Sequence, residues 1–225
     1  MNKKLFSNYQ DLIVKHFKDE NEDSKRIFLT FKRLLKYIGL DHLSKPCKIL
    51  DIGSGDGSFI KVCKENGHES FGLDGSKENI DFEKDRLKFN DKTFDIITML
   101  SVIEHIQNPT NILNEILRVL KKGGILIIIT PNFKYCYKNF YDDPTHIRPY
   151  TEKSVDSLMK LHGFNNIKVV PMLINKPAFF WNMPFSFFIS SIFPFKNHQL
   201  KKIPLINFLK GRSTAMISIA EKINV

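Results

Sequence analysis

The chain is short of cysteine, tryptophan and long apolar runs, and each shortage removes a class of protein. Three cysteines, Cys47, Cys63 and Cys136, stand among 225 residues at spacings that match no metal-ligand motif, with one thiol left over if any two pair. A disulfide framework is excluded, and a reduced cytoplasmic enzyme is the simpler expectation. No uninterrupted run reaches the ~18 apolar residues that a spanning helix needs. The opening residues, MNKKLFSNYQDLIVKHFKDENEDS, lack an unbroken apolar core and a small-residue cleavage site, so no secretory signal is expected. Acidic residues are in deficit too, 24 against 34 Lys and Arg, for a net charge of +10. That excess belongs to the two ends. Ten Lys/Arg face six Asp/Glu in residues 1–45, seven face Glu221 alone in residues 171–225, and the middle is neutral.

What the neutral middle does have is one dense cluster of glycine. Residues 49–59, ILDIGSGDGSF, read as a buried strand running into a turn that opens a helix, with Gly53, Gly55 and Gly57 at alternate positions. Missing Cβ atoms suit a backbone that turns sharply against a ligand. Asp51 and Asp56 in the same stretch would repel a pyrophosphate, which wants bare N–H groups and a positive helix end. An uncharged or cationic group on a nucleoside is implied, and an ammonium and sulfonium of methionine type would suit those carboxylates. Asp74 follows Asp51 by 23 residues and ends the next short apolar run, where its two oxygens can accept from both ribose hydroxyls.

Apolar residues at helical spacing predict two helices ahead of the first strand, one carrying Leu12, Ile13 and Phe17, the other running from about residue 23 to Gly39. Their expected role is to pack on the sheet and partly cover the site. Strands are predicted to about Ile52, to Asp74, and over 94–100, 125–130, 166–170 and 214–220. The short interval between Asp74 and Phe94 predicts one helical turn near Ser76 and a brief third strand over 79–82. Helices are predicted over 108–120, stopped by Gly123-Gly124, and over 151–162, capped by Thr151 and closed by Gly163. About forty residues then precede the last strand, and residues 171–214 hold eight of the twenty phenylalanines and the only tryptophan, Trp181.

In this order, GSGDG, the strand-end acid, FDII followed by VIEHI, and LKKGG before an aliphatic strand resemble a class I S-adenosylmethionine-dependent methyltransferase over about residues 46–170. The resemblance implies a Rossmann-like α/β fold, with a mostly parallel seven-stranded sheet, an antiparallel last strand and helices on both faces. As a single domain, the chain divides into N-terminal helices (1–45), a cofactor-binding core (46–172), an aromatic and basic insertion (173–212) and a last strand (213–225). S-adenosylmethionine is the implied cofactor, held by Asp51, Gly53, Gly55, Gly57, Asp74 and Leu100, with Asp81-Phe82 at the adenine and Asp85 as the alternative acid. The YDDPTHIRPYT segment resembles the D-x-T-H loop of bacterial small-molecule and sugar methyltransferases, through Asp143, Thr145 and His146.

Methyl transfer to a hydroxyl needs correct approach and a base for the proton, a task matched to histidine. His146 is the first choice and His105 the second, with Glu104, Asp143, Thr145, Arg148 and Tyr150 at the acceptor. Asp142, Asp143, His146 and Glu104 offer oxygen and nitrogen ligands, but no spacing demands a metal and none is expected. The expected acceptor is a small molecule, foremost a sugar or sugar nucleotide of surface polysaccharide biosynthesis, with a lipid-linked or quinone acceptor second. A non-catalytic cofactor-binding regulatory module is a further alternative, made improbable by the complete glycine loop and two histidines. Nucleic acid is disfavoured because SVIEHIQNP replaces the D/N-P-P-Y run of base-methylating enzymes. The aromatic tail is read as a lid or homodimer contact ahead of a peripheral membrane anchor.

Overall fold

The computed structural model describes residues 20–173, 176, 178–192 and 214–223. The predicted helix around Leu12, Ile13 and Phe17, and the tail residues 193–213, lie outside them. In chain order the elements are α1 (Glu20–Tyr37), β1 (Lys48–Ile52), α2 (Ser58–Glu65), β2 (Glu69–Leu73), β3 (Phe94–Leu100), α3 (Thr110–Val119), β4 (Leu120–Pro131), α4 (Phe133–Cys136), α5 (Glu152–Leu161), β5 (Asn165–Pro171), α6 (Ser186–Ile192) and β6 (Ala215–Glu221). Short 3-10 turns cover Ile103–His105 and Ala178–Asn182.

The six strands form one sheet in the order β2-β1-β3-β4-β6-β5. Its first four members are parallel and β6 runs antiparallel to both neighbours. Alternation along each strand divides the aliphatic residues between the two faces. Ile125, Ile127 and Ile129 of β4 join Ile49, Ile96, Ile217 and Ile219 in a core closed by Phe28, Phe31, Leu34 and Leu35 of α1. Leu126 and Ile128 point the other way, to Leu50, Ile97 and Met99, where α3 contributes Ile112, Leu113 and Ile116. Both faces are covered, which explains why the central strands are almost wholly aliphatic.

Three expectations are corrected. The 79–82 strand does not form among the described residues, so the sheet has six strands where seven were expected. Its backbone groups are spent locally: Asp81 N–H donates to the Asp85 carboxylate at 2.8 Å, Asp81 Oδ1 accepts from Glu83 N–H at 3.0 Å, and the Asp81 carbonyl accepts from Lys84 and Asp85. Short acidic side chains compete with a ladder in this way. Second, α3 ends before Gly123-Gly124, because Leu120 is already extended and Lys121 to Gly124 belong to β4, whose pairing with β3 shifts register there. Third, α1 packs on α2 and the sheet, and none of its described residues reaches the ligand cavity. Elsewhere the local signals hold: Thr151 and Ser154 form a capping box on α5, and Gly163 takes a positive φ of 89° after it.

Candidate active site

A cavity of about 530 Å³ opens at the carboxyl ends of β1, β2 and β3. This is the edge at which open α/β sheets place ligands. Gly53, Asp74, Gly75 and Ser76 line one side, Ile80, Asp81 and Phe82 another, and Leu100, Val102 and His105 the floor.

The glycine loop is held from beneath by β2, since Gly53 and Ser54 donate to the Leu73 carbonyl at 2.6 and 3.2 Å. Gly53, Gly55 and Gly57 all have positive φ, at 77°, 52° and 83°. They differ in surroundings. A Cβ on Gly53 would run into Val102 Cγ2, whereas one on Gly55 or Gly57 would meet nothing within 4 Å. Close approach to the chain's own next loop therefore requires glycine at 53, and backbone conformation alone favours it at the other two.

Asp74 is buried and lines the cavity. One carboxylate oxygen accepts from Gly55 N–H at 3.1 Å, the other from the Ser76 N–H at 3.0 Å and hydroxyl at 2.5 Å. Lys77 N–H joins Ser76 on that second oxygen at 3.3 Å, so the accepting capacity left toward a ribose lies on the oxygen bound by Gly55. Asp51 behaves differently. Its carboxyl points under the loop to Thr98 Oγ1 at 2.6 Å, outside the cavity lining, and burial pushes its pKa up to about 7. Folded above its unfolded value, this group contributes stability that is complete below about pH 4 and is lost as pH rises through about 7. Asp51→Asn is expected to flatten that loss, with its melting temperature gaining on wild type between pH 5 and pH 8. A gap that does not change with pH would contradict the assignment. Asp56 caps the start of α2 through Ser58 N–H at 2.9 Å.

At the far end of β3 the chain makes the turn Ile103–His105. Glu104 is fully buried, with Oε2 accepting from Thr130 Oγ1 at 3.0 Å and Oε1 without a partner. Burial raises its pKa to about 7. The Glu104 carbonyl accepts from both Ile147 N–H at 2.9 Å and Arg148 N–H at 3.0 Å, which docks the 143–148 loop on this turn. His105 Nδ1 lies 3.0 Å from the Thr145 carbonyl and 3.0 Å from its hydroxyl, and burial lowers its pKa. His146 lies tilted beside it, ring planes at 46° and centroids 4.9 Å apart, with Nδ1 2.6 Å from the Phe140 carbonyl and Nε2 3.8 Å from Asp143 Oδ2.

Of the residues expected from the sequence, Gly53, Asp74, Asp81, Phe82, Leu100 and His105 line the one cavity, whereas Gly55, Gly57 and Asp51 adjoin it. Glu104, Asp143, Thr145 and His146 gather behind His105. Arg148 turns to the Gln107 carbonyl at 2.9 Å and over the Tyr150 ring, while Tyr150 is buried with its hydroxyl unpartnered. Sequence reasoning missed Val102, Thr98 and Thr130. The two threonines had a readable signal, as polar residues in otherwise aliphatic buried strands. None of the described tail residues lines the cavity: Trp181 packs on Tyr37 and under Arg33, and Phe187 stacks on Tyr135.

A family model described as a methyltransferase domain matches residues 1–169. The chain belongs to that family. Among similar proteins, a methyltransferase of Pelagibacter ubique named for O-methylation in ubiquinone biosynthesis is 32% identical over 104 residues, covering 39% of this chain and 43% of its own. The chain thus matches less than half the length of that relative. An uncharacterized protein of Methanocaldococcus jannaschii is 29% identical over 190 residues, 76% of this chain and 86% of its own. The same fold occurs in a crystal structure of an S-adenosylmethionine-dependent methyltransferase of Archaeoglobus fulgidus, with a TM-score of 0.54 and 22% identity, covering 88% of this chain and 94% of that one. The chain is a methyltransferase by family and shares its fold with that enzyme, whose cofactor is S-adenosylmethionine. The cavity fits that group: glycines at one end and Asp81-Phe82 at the other, joined by the Asp74 carboxylate.

Proposed function

We propose that this methyltransferase acts as a single unit on a hydroxyl group of a small molecule. The observation that carries the reading is that His105 lines the cofactor cavity while His146 and Glu104 lie beside it, with one side-chain N or O atom of each of the three within 4.8 Å of the others. When bound, the cofactor supplies an electrophilic methyl group on a sulfonium. In this reading Gly53 to Gly57 receive its methionine end, Asp74 the ribose and Asp81-Phe82 the adenine, while Leu100 and His105 flank the acceptor approach. Donation from His105 Nδ1–H to the Thr145 carbonyl sets the tautomer and leaves the lone pair on Nε2, which takes the hydroxyl proton as the oxygen attacks. Burial keeps the ring neutral and able to accept. His146, the first choice from sequence, stands one layer back against the Phe140 ring at 4.6 Å.

A neutral amine already carries its lone pair and needs no base, so two imidazoles at the acceptor end favour oxygen. The relative named for O-methylation in ubiquinone biosynthesis supports oxygen as the atom methylated and a quinone precursor as acceptor. The sugar or polysaccharide reading rests on the D-x-T-H loop alone. No described helix is long and apolar enough to cross a membrane, and Phe185 and Phe188, 81% and 55% exposed, keep a homodimer contact in the proposal. Three free thiols suit a reducing, cytoplasmic setting. Incubation with labelled cofactor and a metabolite extract is expected to yield a product heavier by one methyl on oxygen. Products methylated only on nitrogen or carbon would overturn the oxygen assignment.

A further inference from the structure

We infer that Glu104, His105 and His146 form a divalent-cation site at the acceptor end of the cavity. One ligand atom from each of the three lies within 4.8 Å of the others. Two independent features point to a cation. The first is the orphan Glu104 Oε1, a carboxylate oxygen on a fully buried residue with no hydrogen-bond partner. Buried polar atoms are otherwise satisfied almost throughout proteins, and an unpaired carboxylate in a dry site is strongly unfavourable unless something comes to it. The second is how the imidazoles are held. His105 Nδ1 faces the Thr145 carbonyl at 3.0 Å and His146 Nδ1 the Phe140 carbonyl at 2.6 Å. A main-chain carbonyl on one ring nitrogen fixes the proton there and turns the lone pair of the other outward, as in the outer shell of metal-bound histidines.

Asp143 Oδ2, 3.8 Å from His146 Nε2, stands ready as a fourth ligand, since Thr145 N–H and hydroxyl occupy only its Oδ1. Two nitrogens with one or two carboxylate oxygens suit Mn²⁺, Fe²⁺, Co²⁺ or Zn²⁺ better than Ca²⁺ or Mg²⁺, which favour all-oxygen shells. The sequence offers Glu104, Asp143 and His146 as ligand types but no spacing that demands a metal, because residues 104–105 and 146 meet through the docking of the 143–148 loop on the Glu104 carbonyl and on His105.

The inference rests on the proposed function only for where the acceptor sits, and it changes how the hydroxyl is activated. With a cation in place the two histidines give their lone pairs to it. The acceptor oxygen joins as a ligand, its O–H bond breaks with the proton passing to solvent water, and its electron pair then forms the O–C bond as the C–S bond breaks toward sulfur.

The test uses the full chain freed of metal by a chelator. Titration with Mn²⁺ followed by calorimetry and paramagnetic resonance is expected to show one saturable equivalent with nitrogen couplings from imidazole. Glu104→Gln and His146→Ala should each weaken Mn²⁺ at least about ten-fold while the affinity for S-adenosylhomocysteine stays as in wild type. Absence of saturable Mn²⁺, Co²⁺ or Zn²⁺ binding, or binding to wild type without nitrogen coupling, would overturn the site, and neither reading needs a variant to fold. Tight binding without methyl transfer would sink the proposed function alone. Full transfer in chelator, with no cation bound, would sink this inference alone.

Discussion

Replacing Gly53 by alanine is expected to remove most of the affinity for S-adenosylmethionine, a larger loss than the same change at Gly55 or Gly57. All three sites share the φ strain, on the order of 1–3 kcal/mol for a side chain held in that region. Only at Gly53 does the added Cβ also collide with Val102 Cγ2. Val102 lies in the loop leading to Glu104 and His105, so relief of the collision must move either the Gly53 N–H off the Leu73 carbonyl or the Ile103–His105 turn off the cavity. Either movement displaces one wall of the ligand site. Calorimetry with S-adenosylhomocysteine should show at least a ten-fold loss, about 1.4 kcal/mol, in Gly53→Ala. Thermal melts should rank its stability below that of Gly55→Ala. Equal affinities across the three variants would remove Gly53 from the cofactor site.

The second large effect is expected in His105→Ala, with turnover down roughly 100-fold or more while S-adenosylhomocysteine binding is retained. The imidazole lines the cavity and its Nδ1 is held by Thr145, outside the glycine turn, so its loss should fall on the chemical step. His146→Ala is expected to lose less if an imidazole is the base, because its ring faces Phe140 and Asp143. Equal losses in the two variants would instead match a cation held by both. A His105→Ala enzyme with wild-type turnover would end the assignment of this ring to the acceptor.

Much of this was legible in the chain because the deciding signals are local. The glycine loop, the acid closing β2, the Thr151 cap and the aliphatic β4 each depend on residues within a few positions, and each is where the sequence put it. What was misread has two sources, local competition for the backbone and neighbours distant in sequence. Residues 79–82 have some apolar character, yet Asp81 and Asp85 satisfy the backbone locally, and the strand is lost. Gly123-Gly124 looks like a helix stop, but pairing with β3 draws Leu120 into the sheet first. The glycine motif marks three positions alike. Only the fold reveals that Val102 crowds the first. Nor does the sequence reveal which of its two candidate histidines lines the cavity: His105 does, placed by contacts 40 residues away at Thr145.

The antiparallel pair at the sheet edge bears on how this enzyme can diversify. β5 ends at Pro171 and β6 begins at Ala215, and Met172 N–H donates to the Ala215 carbonyl at 3.0 Å. The aromatic segment therefore departs and rejoins at a single clasp, beyond which the ladder of β5 on β6 continues without it. Loop-closure entropy rises only logarithmically, about 0.6 kcal/mol for each doubling of length. Length alone is therefore a weak constraint on the segment, and its start is held by packing instead: Phe180 and Trp181 are buried in the core that also contains Ile49 of β1 and Ile96 of β3, so any variation that spares the cofactor strands has to keep these two anchors.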